Sequence, residues 1–376
     1  MTAPQSTREF DIDFFRGWVC LSLAYLHFFN SALFDSFNRL FGDDGMWFVW
    51  NIRLGVESFF ILAGFMMAHM MRPIPGEDVS IAGYLKRRFY RLIIPYWAAV
   101  LIFVAYRYLI FAATGRGGGP IPLQDVLGQL FLAQEFFYES PAAQEHVTPT
   151  GYWSMVTIEQ FYLVWLAFYA ICLTIFGRGK RQGYAAAEHA MVVLTFVACI
   201  GSLSIWWLGM EHTARWQLAV YGMFLTLGML VYWSIRQQYM SPFFWIVMLA
   251  IAVSGPLLDA SKMYKALISV AIFIPLARGL RVPNNLFFRF LAFCGKRSYS
   301  IYLIHPIAGI AFISVAVKLT ARSDWFAIPI LIAAIVVSIV AAAVFFKYVE
   351  IPCQAKARSV EYRRKRDPMD EPSAVV

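Results

Sequence analysis

The sequence predicts an all-α, polytopic membrane protein of about ten transmembrane helices with both termini in the cytoplasm. The chain has 376 residues, of which 60% are hydrophobic and 15% are charged, and its mean hydropathy is +0.60. Soluble domains are rarely so apolar, and apolar runs long enough to cross a bilayer recur along the whole chain. Lys and Arg are clustered beside these runs, which is typical of membrane proteins.

The apolar runs of spanning length define ten predicted helices. Pro256 and Pro275 interrupt the seventh and eighth, because proline breaks or kinks a helix. The predicted spans are 12–33, 54–72, 90–113, 153–176, 187–208, 216–235, 243–258, 263–280, 298–318 and 325–349.

The loop charges predict the orientation of the helices. Ten spans place both termini on one side. If that side is the cytoplasm, 23 of the 32 Lys and Arg are cytoplasmic and nine are not. This is the positive-inside bias, so the net charge of +9 indicates topology rather than a nucleic-acid partner. The five cysteines are scattered without a CxxC pair, which predicts neither a metal site nor a disulfide framework.

Two segments stand apart from the spans. The chain divides into a transmembrane domain, 1–354, and a basic tail, 355–376, whose polar composition predicts disorder. The longest outer loop covers about 114–152, and its stretch LQDVLGQLFLAQEFFYES is partly amphipathic. This pattern predicts an interfacial or re-entrant helix.

The first helix contains the most informative pair of residues, Arg16 and His27. Their eleven-residue separation returns to within about 20° of one helix face and covers about 16 Å, half of a hydrocarbon core. Ionisable groups at that depth are costly and by default indicate a functional path. Cys20 lies on nearly the same face, but buried cysteines are usually inert.

Four further motifs accompany this helix: GVESFF, RRFYRLIIPYW, WSMVTIEQFYLVW and SYSIYLIHP. Together with DFFRG near the start and VEIP near the end, they resemble the acyltransferase-3 family of integral membrane proteins, which O-acylate glycans and other hydroxylated acceptors. The order and spacing of the motifs make the combination specific. One position departs from the family pattern, because Ile158 replaces the first of two glutamates and leaves Glu159 alone.

The resemblance implies a membrane-embedded O-acyltransferase that moves an acyl group, with acetyl favoured, from cytoplasmic acyl-CoA to a hydroxyl of a glycan or glycolipid at the extracytoplasmic side. The implied location is the bacterial cytoplasmic (inner) membrane, where lipids surround the chain. No metal is implied, and the oligomeric state is left open. The implied acceptor-binding residues are Trp153, Ser154, Gln160, Tyr162 and His305.

Acyl transfer to an alcohol needs a base, because an unassisted hydroxyl is a poor nucleophile at neutral pH. His27 is the candidate base, and Glu159 or Glu57 could orient its ring or hold the acceptor. The donor phosphates require cations, since guanidinium groups match phosphate oxygens. The candidates for this role are Arg16, Lys86, Arg87, Arg88 and Arg91.

Each of these residues also has a structural interpretation. A basic cluster before a span is ordinary positive-inside signal. Glu57 could be a helix-start acid that the dipole favours, and His305 could be a packing residue. At the level of the whole protein, the alternative is a transporter or flippase of an acylated or lipid-linked product, in which Arg16 and His27 serve a proton relay.

Overall fold

A computed structural model gives the fold of the chain. It describes residues 5–51, 54–72, 77–115, 121–134, 148–149, 151–176, 181–210, 217–236, 241–258 and 260–365. The described residues are almost entirely helical, which confirms the all-α prediction.

The ten predicted spans all fall on helices. In chain order, the helices are α1 (Gln5–Phe29), α2 (Phe34–Asn51), α3 (Val56–Met71), α4 (Ile81–Arg88), α5 (Ile94–Thr114), α6 (Leu123–Leu130), α7 (Tyr152–Phe176), α8 (Arg181–Trp207), α9 (Gln217–Arg236), α10 (Ser241–Ser254), α11 (Ala260–Ala277), α12 (Leu286–Lys296), α13 (Ser298–Leu319), α14 (Ala327–Phe345) and α15 (Ile351–Arg358). Single π-helical segments, Phe89–Ile93 and Phe346–Glu350, join α4 to α5 and α14 to α15.

Length and composition support fewer membrane spans than the ten predicted. Within the described ranges, six helices are long and apolar enough to cross a bilayer, or up to seven if a bent pair counts as one span. Helix α3 has 16 residues and therefore covers about 24 Å, less than a hydrocarbon core of about 30 Å. The count of ten and the orientation of the termini remain predictions.

The first predicted span, 12–33, is shorter and more bent than the sequence indicates. Helix α1 ends at Phe29, and the chain turns by 105° into the apolar part of α2. His27 therefore lies two residues before a break in the helix rather than in the middle of a straight span.

The chain forms two compact units. The first comprises 1–59, 96–156 and 251–351, and the second comprises 60–95, 157–250 and 352–376. In the first unit, α1 packs closely on α12, because Gly17 and Gly295 have no side chains to keep the two backbones apart. A Cβ on Gly17 would lie 1.9 Å from the Leu291 oxygen, and a Cβ on Gly295 would lie 1.7 Å from the Asp13 oxygen. Small residues at such contacts are typical of helix packing in membranes.

The second unit uses the same device. A Cβ on Gly64 of α3 would lie 1.8 Å from the Leu225 oxygen of α9, and a Cβ on Gly228 would lie 1.9 Å from the Ile61 oxygen. These two glycines let the backbones of α3 and α9 approach each other, which places α3 against a helix that is buried over most of its length.

The sequence predicts that the basic tail, 355–376, is disordered, but the first part of this tail forms regular secondary structure. Helix α15 continues to Arg358, and strand β2 (Arg363–Lys365) pairs antiparallel with β1 (Glu77–Val79). Arg363 donates to the backbone oxygens of Met70 and Arg72 at 2.6 and 3.0 Å. Residues 366–376 lie outside the described part of the chain.

Candidate active site

Helix α1 supplies Arg16 and His27 to the first unit, as the sequence predicts. The Arg16 guanidinium lies 3.7 Å from the Asp13 carboxylate, and its side chain is partly exposed. His27 is half-buried near the end of the helix. Both residues thus lie on one helix, with Arg16 near its middle and His27 in its last turn.

His27 contacts a second histidine, His305 of α13. The Nδ1 atom of His27 lies 2.8 Å from Nε2 of His305. The two rings are nearly parallel, with centroids 5.1 Å apart and an angle of 12° between the planes. His305 is buried, and the ring that it packs against is that of the candidate base.

The hydrogen bonds assign a tautomer to each ring. Nδ1 of His305 lies 2.8 Å from the backbone oxygen of Ile301. A carbonyl oxygen only accepts, so this nitrogen carries the proton, and Nε2 of the neutral ring is an acceptor. His27 must then donate from Nδ1. In a neutral imidazole the other nitrogen carries the lone pair, so Nε2 of His27 is the atom that can take a proton.

Gly151 closes against the edge of the His27 ring. Its φ is +92°, a conformation that favours glycine, and a Cβ there would lie 2.6 Å from Cε1 of His27. The Gly151 oxygen accepts hydrogen bonds from the hydroxyls of Tyr302, at 2.8 Å, and Ser154, at 2.9 Å. Ser154 is therefore close to the histidine pair, as the family resemblance implies for an acceptor-binding residue.

The sequence interpretation did not identify Gly151 or Tyr302 as functional. Two signals could have indicated them: a glycine directly before the aromatic start of a span, and an aromatic residue one turn before His305 in SYSIYLIHP. Neither signal specifies that these two residues meet, because they are 151 positions apart in the chain.

The second unit contains a buried ion pair. Arg88 donates from Nε and Nη2 to the two carboxylate oxygens of Glu159, at 2.6 and 2.7 Å. The exposed fractions of the two side chains are 11% and 7%. The guanidinium also lies 3.4 Å from the centre of the Tyr162 ring, whose hydroxyl donates to the Ala63 oxygen at 2.9 Å.

The described contacts give the His27 ring a histidine partner rather than a carboxylate. The sequence predicts that Glu159 or Glu57 orients this ring or holds the acceptor, and the acceptor role stays a prediction. The partner of the His27 Nδ1 atom is His305, and Glu159 engages Arg88. Glu57 is buried at the start of α3, where a Cβ on Gly55 would lie 1.9 Å from its carboxylate.

The remaining candidates are distributed along α4, the following π-helical segment and α7. Lys86 is exposed and Arg91 is half-buried, whereas Arg87 lies 5.0 Å from the centre of the Tyr362 ring. Trp153 and Gln160 are partly exposed on α7.

Cys20 is buried, and its thiol donates to the Ser298 oxygen at 3.2 Å. Among the described residues, no three His, Cys, Asp or Glu side chains form a group that could hold a metal ion.

The long apolar helices define the class of protein as a multi-pass membrane protein. The chain belongs to the acyltransferase-3 family, because the family model described as "Acyltransferase domain" matches residues 9–347, nearly the whole chain. It is therefore an acyltransferase of a membrane family. No curated protein and no solved structure matches the chain.

Proposed function

We propose that this acyltransferase moves an acyl group, with acetyl favoured, from acyl-CoA to a hydroxyl of a glycan or glycolipid. The observation that carries the proposal is the histidine pair. Because His305 accepts the Nδ1 proton of His27, Nε2 is the basic nitrogen of the neutral His27 ring and the atom that would take a proton from a substrate.

The proposed reaction is direct transfer. His27 takes the proton of the acceptor hydroxyl while the hydroxyl oxygen attacks the thioester carbonyl. The new C–O bond forms, the C–S bond breaks, and the thiolate of CoA leaves with the electron pair. The proton that His27 received returns to that sulfur, so the products are the acyl ester and free CoA. The scheme uses one base and requires no second acid at the position of Ile158.

The donor phosphates would bind to cations of the predicted cluster. Lys86, Arg87 and Arg91 are candidates in the second unit, and Arg16 is a candidate in the first. Arg88 has a different proposed role, because two of its nitrogens already engage Glu159. It would position that carboxylate and the Tyr162 ring rather than hold a phosphate.

The proposed setting is the bacterial cytoplasmic membrane, with both chain termini and the donor in the cytoplasm and the acceptor at the outer face. The distribution of Lys and Arg between the predicted loops supports this orientation. CoA thioesters are cytoplasmic metabolites, so a basic cluster on that side suits the donor.

The test is acyl transfer by purified protein in detergent. Acetyl-CoA labelled in the acetyl group is incubated with total cell-envelope glycan, and mass spectrometry of the glycan locates the label. The expected result is label in O-acetyl esters together with release of one free CoA for each ester. A transporter needs a membrane and a gradient, so in detergent it would release no CoA and acylate nothing. That result, with folded protein, would contradict the proposal.

A further inference from the structure

Two buried polar side chains of the first unit lack hydrogen-bond partners among the described residues. The atoms without partners are the hydroxyl oxygen of Tyr96 and the oxygen and nitrogen of the Gln134 side-chain amide. Tyr96 is completely buried, and Gln134 is 1% exposed. The two groups are neighbours but do not meet the geometry of a hydrogen bond with each other.

The pair is connected to the candidate base through Tyr152. The rings of Tyr96 and Tyr152 pack with centroids 5.4 Å apart. Tyr152 directly follows Gly151, which closes against the His27 ring. The Tyr152 hydroxyl donates to the Leu303 oxygen on α13 at 2.6 Å, two residues before His305. The Tyr96 ring therefore packs against the residue that follows Gly151 and that bonds to the helix of His305.

The backbone holds Gln134 in this place. The Trp97 indole N–H, next to Tyr96 in the chain, donates to the Leu130 oxygen at the end of α6 at 2.7 Å. The Ala133 N–H then closes a turn onto the Gly128 oxygen at 2.7 Å. Leu132 adopts a positive φ of 56° in this turn, which costs energy for a residue with a Cβ. Backbone strain of this kind is frequent at functional sites, which favours a functional role for the buried Gln134 amide.

The energy of these groups indicates a ligand. A buried donor or acceptor without a partner costs about 1–3 kcal/mol, and native proteins rarely leave one without a functional reason or a bound water. An amide and a phenol can each donate and accept. Neither is charged, so the pair suits a neutral hydroxyl better than a phosphate or carboxylate.

We propose that Tyr96 and Gln134 form a subsite that binds a hydroxyl of the acceptor glycan and holds it beside the histidine pair. The subsite rests on the proposed function, since it specifies how the acceptor of that reaction is recognised. A hydroxyl lying between the two side chains would satisfy both at once, which their own geometry does not. Neither residue is among the acceptor-binding residues that the family resemblance implies, although Tyr96 lies in the motif RRFYRLIIPYW.

The test measures donor and acceptor kinetics separately. Tyr96→Phe, Gln134→Ala and the double variant are assayed with labelled acetyl-CoA and total cell-envelope glycan. Each lost neutral hydrogen bond should raise the apparent KM for glycan about threefold to tenfold, and the double variant should raise it further. The KM for acetyl-CoA and the slow hydrolysis of acetyl-CoA without glycan should stay unchanged. Gln217→Ala, which removes a buried amide from α9 in the second unit, is the matched control and should leave all values unchanged.

Thermal stability gives the second measurement. Without acceptor, the variants remove groups that are costly to bury, so the melting temperature should stay or rise. Addition of glycan should raise the melting temperature of the natural protein more than that of the variants. An unchanged KM for glycan in the double variant would overturn the subsite and leave a bound water as the explanation. A lower melting temperature with no glycan effect would also overturn it and indicate a structural role. If the natural protein transfers nothing to glycan, the proposed function itself fails, which is a distinguishable result.

Discussion

Replacement of His305 tests how the candidate base is oriented. His305→Leu keeps an apolar side chain of similar size but removes the acceptor for the His27 Nδ1 proton. His305→Gln keeps an acceptor, because an amide oxygen can take the place of Nε2. The comparison therefore separates the hydrogen bond from the packing of α1 on α13, two helices that meet along these residues.

The magnitude follows from the geometry of the pair. A neutral hydrogen bond such as the 2.8 Å contact is worth about 0.5–1.5 kcal/mol, or about 2- to 12-fold in the population of the productive tautomer. A ring that loses this contact can also turn, and a misplacement of about 1 Å can cost about 100-fold. We therefore expect His305→Leu to lower kcat about 10- to 100-fold. His305→Gln should recover most of this loss.

The assay is steady-state transfer from acetyl-CoA to glycan by purified protein, with melting temperatures measured in parallel. A positioning role predicts that kcat falls while the KM values for donor and acceptor stay within about twofold. Equal activity of the Leu and Gln variants would refute the reasoning, because it would mean that no acceptor is needed at this position. A melting temperature of His305→Leu so low that unfolding accounts for the lost activity would also refute the positioning role.

Three further substitutions test the surroundings of the site. Gly151→Ala should lower kcat at least tenfold, because the Cβ would lie 2.6 Å from the His27 ring at a φ of +92°; a normal kcat of this variant in the steady-state assay would contradict the close contact of Gly151 with His27. Arg88→Gln should destabilise the protein by about 3–5 kcal/mol, because it leaves the Glu159 carboxylate buried without its cation; an unchanged melting temperature would contradict this. Cys20→Ala should transfer at a rate within about twofold of normal, since the proposed transfer is direct; loss of transfer with normal donor binding would indicate an acyl-cysteine intermediate.

The sequence predicts the elements of this fold better than their connections. Ten apolar runs fall on helices because burial in an apolar medium leaves a local and continuous signal. The sequence does not indicate the break of the first helix after Phe29, because no proline lies there. The pairing of β1 with β2 joins Glu77 to Lys365, and no local pattern in a polar tail encodes a partner so distant.

The same contrast holds at the site. The register of His27 with Arg16 is a property of one helix, so the sequence indicates it, whereas the helix break two residues after His27 is not indicated. The hydrogen-bond partner of His27 is 278 residues away in the chain. From the sequence, a carboxylate is the expected partner of a histidine base. Glu159 lies two turns into a span, but only the structure shows that its charge is balanced by Arg88. Tyr96 lies in the motif RRFYRLIIPYW and Gln134 in none of the motifs, and only the structure shows that both are buried without hydrogen-bond partners.

The most direct measurement of the central claim is the turnover of His27→Gln in purified form. Glutamine keeps hydrogen-bonding capacity but cannot accept a proton at neutral pH, so it separates a base from a packing residue. A general base contributes about 100- to 10,000-fold. We expect both His27→Gln and His27→Ala to lose at least about 100-fold in acetyl transfer, while acetyl-CoA binding and melting temperature are retained. Near-normal transfer by His27→Gln would contradict the claim that His27 is the base.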